Sequence, residues 1–267
     1  MQKFFFVLKL KFLDAVGGGV FFCVRRLEHR LSPAALWTLV SPVAAGRTAL
    51  NLLFRKPRPA ARLPEFLHGW AGVPAIRGQR RADYLNRLLE NFPDRLADEK
   101  WRGRCRIDGL EHWHAAQAAG RPVVLAFFHF GPIFLMGYWL RAFGLPVAAF
   151  SGGKNFLRGR LAKLKDAHSP VAGVPNFFYM DELRQSLVFL DKGNALLIAI
   201  DSPAEKNVII SAVDGWNFEM PTGPIRMAVR RRAVLIPFSL VDEGGWNFRL
   251  QLHQPVPEAW LSGEENF

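Results

Sequence analysis

His129 follows an unbroken apolar run, Val123 to Phe128, and precedes Gly131-Pro132. Asp201 follows a second such run, Leu196 to Ile200, and precedes Ser202-Pro203. Continuous apolar runs of this length read as strands buried on both faces. Ligands meet an α/β sheet at the carboxyl ends of its strands. An imidazole at such an end can serve as a general base near neutral pH. A carboxylate at a neighbouring end can orient it. Each residue alone also has a plain structural reading, His129 as a strand-end cap and Asp201 as the start of a turn. Two such positions at the ends of two buried strands point to chemistry more strongly than either one.

The elements that must carry these residues are legible from about Trp101 onward. Helices are expected over Pro132 to Phe143, Phe156 to Lys165, Asp181 to Asp191 and Thr222 to Arg232. Strands are expected over 123–128, 147–150, 195–200, 208–213, 234–241 and 246–253. This alternation predicts an α/β fold, a mixed and mostly parallel sheet flanked by helices. Pro221-Thr222-Gly223-Pro224 opens the helix that carries Arg226 and Arg230, with Thr222 placed as its cap. The start of such a helix can receive an oxyanion or phosphate, or simply be a capped end. Lys154, Arg158, Arg160, Lys163 and Lys165 form a basic stretch, either a solvated face or a docking site for an anionic group.

Before this region the chain has another texture. Residues 1–53 are apolar segments with basic punctuation, and 54–100 read as a helical connection that begins with the proline- and arginine-rich Arg55 to Pro64. The α/β region then occupies 101–267. The opening MQKFFFVLKLKFLD is interrupted by Lys9, Lys11 and Asp14, and the longest charge-free run nearby, Ala15 to Val24, is half the ~20 residues a spanning helix needs. The second apolar stretch, Leu31 to Gly46, contains Pro33 and Pro42 and is again too short. A monotopic association follows, with lysines snorkelling and Phe4, Phe5, Phe6, Leu8 and Leu10 entering the interface. N-terminal membrane-associated helices are therefore expected.

Composition supports a membrane surface over a nucleic acid. The 267 residues hold 35 Lys and Arg against 23 Asp and Glu, a net charge of +12, together with 23 Phe and eight Trp. Such a surplus favours an anionic partner. No nucleic-acid-binding motif accompanies it. The two cysteines, Cys23 and Cys105, cannot build a disulfide framework, and neither has a second cysteine nearby to begin a zinc site. His112-Trp113-His114 lacks helical metal spacing. No Gly-x-Ser-x-Gly elbow and no Walker loop is present, so neither a serine hydrolase nor a P-loop enzyme is indicated.

From Ile107 to Val241 the order of motifs resembles the lipid A late acyltransferases, part of the lysophospholipid acyltransferase-like superfamily. The matching stretches are Ile107-Asp108-Gly109-Leu110-Glu111-His112, Gly120 to Leu125 followed by His129-Phe130-Gly131, Leu190-x-x-Gly193 leading to Asp201, and Pro221-Thr222-Gly223-Pro224 with Ala228, Arg230 and Pro237. The resemblance implies transfer of a fatty acyl chain from an acyl carrier protein or coenzyme A thioester to a hydroxyl of a lipid or glycolipid. It implies no cofactor and no metal, and a peripheral or monotopic place on the cytoplasmic face of a bacterial inner membrane. On it, His129 is the general base and Gly131, Thr222 and Gly223 lie in its matching motifs; the substrate-binding candidates are these three together with Arg226 of the same helix and Arg158 and Lys154 of the basic stretch. The family places an Asp or Glu five positions after its His. Here that position is Phe134. Asp201 is the substitute if the sheet brings the two strand ends together. Otherwise the chain is a lipid-binding relative without the pair.

Overall fold

The computed structural model of the chain describes residues 24, 26–27, 30–54, 98–129, 133–151, 171, 173–175, 177–201, 208–213 and 216–261. Two compact units divide it: Met1–Leu89 with Gly244–Trp246, and Glu90–Glu243 with Asn247–Phe267. The expected basic helix over 156–165 and the aromatic N-terminus through Phe12 lie outside the described residues, as do the linker at 55–64 and the side chains of Lys154 and Arg158.

In the first unit, helix α1 (Pro33–Phe54) is 22 residues long. The sequence predicts a shorter, proline-broken segment ending near Gly46. The helix runs on because Pro33 sits at its start, where the missing N–H is unneeded, and Pro42 removes only one interior hydrogen bond. Ser32 caps the start, its Oγ accepting from Ala35 N at 3.2 Å. Leu36, Val40 and Ala44 form a buried stripe at four-residue spacing. Trp37 meets Trp246 edge-on with ring centroids 5.3 Å apart. Among the described residues no helix is long and apolar enough to cross a membrane.

The second unit is an α/β fold built on a mostly parallel mixed sheet flanked by helices. Its strands are β1 (Cys105–Asp108), β2 (Val123–Phe127), β3 (Val147–Ser151), β4 (Phe177–Tyr179), β5 (Ala195–Ala199), β8 (Val234–Gly244) and β9 (Asn247–Leu252), and their spatial order is β1-β9-β8-β2-β5-β3-β4. Strands β6 (Val208–Val213) and β7 (Trp216–Pro221) form a separate antiparallel pair. Residues 208–213 therefore stand apart from the main sheet. The short α2 (Glu99–Arg102) and α3 (Leu110–Ala118) flank β1; α4 (Ile133–Ala142) and α5 (Leu183–Asp191) connect later strands; α6 (Gly223–Arg231) and the short α7 (Glu258–Leu261) follow.

Strand β2 sits between β5 and β8 and is parallel to both, in the register Val123↔Ala195 and Val123↔Val234. All five of its side chains are buried. That explains the continuous apolar run: a central parallel strand is covered on both faces and has no solvent side for a polar residue. Val124 and Ala126 join Leu196 and Ile198 of β5, Phe189 and Leu190 of α5 and Ala228 of α6 in one core. Alternation sends Val123, Leu125 and Phe127 to the other face. Helix α4, with Leu135, Met136 and Trp139 buried, packs through Trp139 against Phe248 of β9, ring centroids 4.6 Å apart. Full burial of side chains such as Leu125 and Leu197 stabilises the fold by about 1.5–3 kcal/mol each.

Cys105, on β1, is a free and buried thiol. Burial pushes its pKa up to about 12, so it is protonated and shielded near neutral pH.

Candidate functional site

The ends of β2 and β5 meet as their register requires. Phe127 pairs with Ala199, and Ile200 N donates to Phe127 O at 2.9 Å, so the ladder continues one step past the strand ends. Two residues beyond each paired position stand His129 and Asp201, on adjacent parallel strands and on the same side by alternation. Their side chains touch. His129 Nδ1 lies 2.6 Å from Asp201 Oδ1, and His129 backbone N–H donates to Asp201 Oδ2 at 2.8 Å.

One carboxylate thus holds one residue at two points. The backbone contact fixes where the histidine leaves the strand, and the ring contact fixes how the imidazole is turned. A charge-assisted contact of this kind is about twice as strong as a neutral one. With Asp201 acting as acceptor, Nδ1 carries the proton and Nε2 presents its lone pair. Phe127 lies beside the imidazole with ring centroids 5.6 Å apart and planes inclined by 57°, a third contact that limits its rotation. The histidine side chain remains 41% exposed and the aspartate 29%, so Nε2 can be reached from solvent.

The other sequence candidates are placed as follows. Thr222 precedes α6 and is buried, and it makes no side-chain capping bond to the helix. Its carbonyl accepts from Arg226 N at 2.9 Å. Gly223 and Arg226 are exposed on the first turn of α6. This helix packs through Ala228 on the Val124–Ala126 face. No hydrogen bond or ion pair joins His129 or Asp201 to Thr222, Gly223 or Arg226. Gly131, Lys154 and Arg158 lie outside the described residues. Among the described residues no three His, Cys, Asp or Glu side chains gather as a metal site requires.

Three features of this unit lie outside the sequence expectations. The Phe127 ring is one; a strand-end aromatic two positions before a histidine was its signal in the sequence. Ser239 Oγ and His253 Nε2, 2.9 Å apart, form a second polar pair on β8 and just past β9, with no motif to mark it. Arg141 is the third, a lone charge in the apolar stretch of α4. It is buried, donates to Val147 O at 2.8 Å and lies 4.7 Å over the Tyr138 ring. Burial holds its pKa down to about 10.

A histidine held by a carboxylate at the carboxyl edge of a parallel α/β sheet is the arrangement that general-base chemistry on a hydroxyl or water requires. No protein-family model matches the chain, and no curated protein sequence matches it.

Proposed function

We propose that this protein is a membrane-associated acyltransferase that moves a fatty acyl chain from a thioester donor to the hydroxyl of a lipid or glycolipid. The observation that carries the reading is the His129–Asp201 pair. It supplies by a different residue the imidazole–carboxylate partnership that Phe134 leaves empty in the motif order of lipid A late acyltransferases. His129 Nε2 takes the proton of the acceptor hydroxyl as its oxygen attacks the thioester carbonyl carbon. The C–O bond forms, the C–S bond breaks, and the imidazolium returns the proton to the departing thiolate. Asp201 keeps the ring in the useful tautomer and stabilises the imidazolium between the two transfers. Donors of the reading are an acyl carrier protein or acyl coenzyme A, both acidic, which suits a chain of net charge +12.

The test is a panel of acyl thioesters offered with vesicle-borne lipid and glycolipid acceptors, read by mass spectrometry for a new ester. The expected product gains one acyl chain and appears only with enzyme. A wild-type chain inert across the panel, with the same lipids in cells with and without the gene, overturns the proposal and leaves the lipid-binding relative.

Helix α1 supports the membrane part of the reading. From Pro33 to Gly46 it has no charged residue, and its exposed positions include Leu39, Pro42 and Val43, while Ser41 and Thr48 are buried. A helix turned to water normally shows the reverse. The exposed hydroxyl of Thr38 is satisfied within the helix, donating to Ala34 O at 3.0 Å. An apolar face of this kind lies in the interfacial plane of a bilayer. The full-length chain is expected to float with anionic vesicles, and Leu39→Glu with Val43→Glu is expected to leave most of it behind. Equal flotation of the double variant would remove α1 from the interface.

A further inference from the structure

Ser239 and His253 form a pair that acyl transfer at His129 does not use. Alternation along β8 puts Ser239 on the same face as Leu235, which joins Val124 and Ala126 in the core. His129 continues the opposite row of Val123, Leu125 and Phe127, so the sheet separates the two histidine sites. Two residues past the Ala126↔Pro237 pairing stand Phe128 and Ser239, level with each other at the carboxyl end of β2. Phe128 is 41% exposed, so this face meets solvent at that level. Pro237 O accepts from His253 N at 2.9 Å, which anchors the chain past β9 against β8. That anchor sets His253 Nε2 2.9 Å from Ser239 Oγ, with both residues only partly buried. A hydroxyl donating to an imidazole nitrogen is the nucleophile–base half of a serine hydrolase site.

The start of α6 comes to the same place. Its last turn is held at the amino edge of the sheet, where Arg232 O accepts from Arg121 Nε at 3.0 Å and Val234 N donates to Pro122 O at 2.8 Å. The first turn therefore points toward the carboxyl edge, on the face of Ser239, since Ala228 packs with Val124 and Ala126. From Ala228 back to Gly223 the helix rises about 7.5 Å. A strand covers that in about two residues, which brings Gly223 to the level of Phe128 and Ser239. The first backbone bond of α6 runs from Arg226 N to Thr222 O, so the N–H groups of Gly223 and Ile225 precede the ladder. Thr222 makes no side-chain capping bond to them, and nothing lies within 4 Å of a Cβ built on Gly223.

We propose that this face carries a second active site, a serine esterase for small carboxylic esters that works without His129. Ser239 Oγ attacks the ester carbonyl carbon and gives its proton to His253 Nε2. The oxyanion is received at the start of α6. The bond to the alcohol oxygen breaks, the imidazolium protonates the alcohol, and Ser239 is left acylated. Water then attacks the acyl-serine, its proton passing through Nε2 to Oγ as the acid leaves. Among the described residues no carboxylate bonds Nδ1 of His253. Loss of the orienting carboxylate costs a triad about 10⁴ in rate, so turnover here is slow and covalent capture is the sharper readout.

The experiment treats the full chain with a fluorophosphonate, maps the adduct by peptide mass spectrometry, and follows p-nitrophenyl butyrate hydrolysis in parallel. The expected result is one label per chain, on Ser239. His253→Gln keeps a hydrogen-bond partner for Ser239 but removes the base, and should slow labelling and hydrolysis at least 100-fold. Gly223→Asp suits a helix start and meets no neighbour, yet it sets a negative charge where the oxyanion forms, and should slow both at least tenfold. Thermal midpoints check that each variant folds. An unlabelled Ser239 in the wild type, labels scattered over other serines, or a wild-type rate in folded His253→Gln overturns the site. A wild-type rate in Gly223→Asp overturns the part given to α6.

Discussion

Asp201→Asn is expected to lower acyl transfer by about 10⁴ with the fold intact, the size of effect seen when the orienting carboxylate of a Ser–His–Asp triad becomes an amide. The two contacts of Asp201 explain why so small a change does so much. Asparagine can still accept from His129 N–H with its carbonyl oxygen, as Oδ2 does now at 2.8 Å. Its NH2 then faces Nδ1, in place of the Oδ1 that lies there at 2.6 Å. An amide nitrogen only donates, so Nδ1 must become the acceptor and the proton moves to Nε2. The nitrogen facing substrate is then protonated and cannot take a proton from a hydroxyl. His129→Ala removes the base altogether and is expected to abolish turnover. Phe134→Glu is expected to leave the rate intact or raise it. The measurement is turnover on the best thioester, with circular dichroism and the thermal midpoint as controls. Wild-type turnover in Asp201→Asn with the fold unchanged would refute the orienting role. Wild-type turnover in His129→Ala would refute the base.

Gly109→Val is expected to destabilise the second unit strongly. Gly109 precedes α3 at φ +80°, in the left-handed region, which by itself costs an L-residue about 1–2 kcal/mol. A Cβ there would also stand 2.0 Å from the carbonyl oxygen of Leu252. That atom belongs to the backbone of β9, so a side chain cannot simply swing away. Relief requires α3 to separate from the end of β9. Two named mechanisms, strain and overpacking, therefore add, and a loss of more than about 3 kcal/mol follows. Gly120 is the internal control. It too has a positive φ, +63°, yet nothing lies within 4 Å of a Cβ built on it. Gly120→Ala should lose only about 1–2 kcal/mol. Urea unfolding of the two variants measures the difference, and equal midpoints would show that the approach to Leu252 does not govern the position.

Sequence alone was enough to place β2 and β5, because a strand covered on both faces has no polar side and leaves an unbroken apolar run. It also placed α6 from Thr222-Gly223-Pro224, since proline near a helix start needs no N–H partner. Local chemistry decides such elements, so local sequence reveals them. The three residues of β4 and the strand β7 carry too little pattern to stand out, and they exist through pairing with β3 and β6. The continuation of α1 through Pro42 likewise came from packing, as the buried stripe of Leu36, Val40 and Ala44 outweighs one missing hydrogen bond. The site divides along the same line. His129 and Asp201 are each visible as a polar residue ending an apolar run. That they are partners was decided only by the fold, because 72 residues separate them in the chain and strand adjacency and register are long-range choices no local window contains. The same register, carried one residue further, sets Phe128 and Ile200 side by side at the sheet edge.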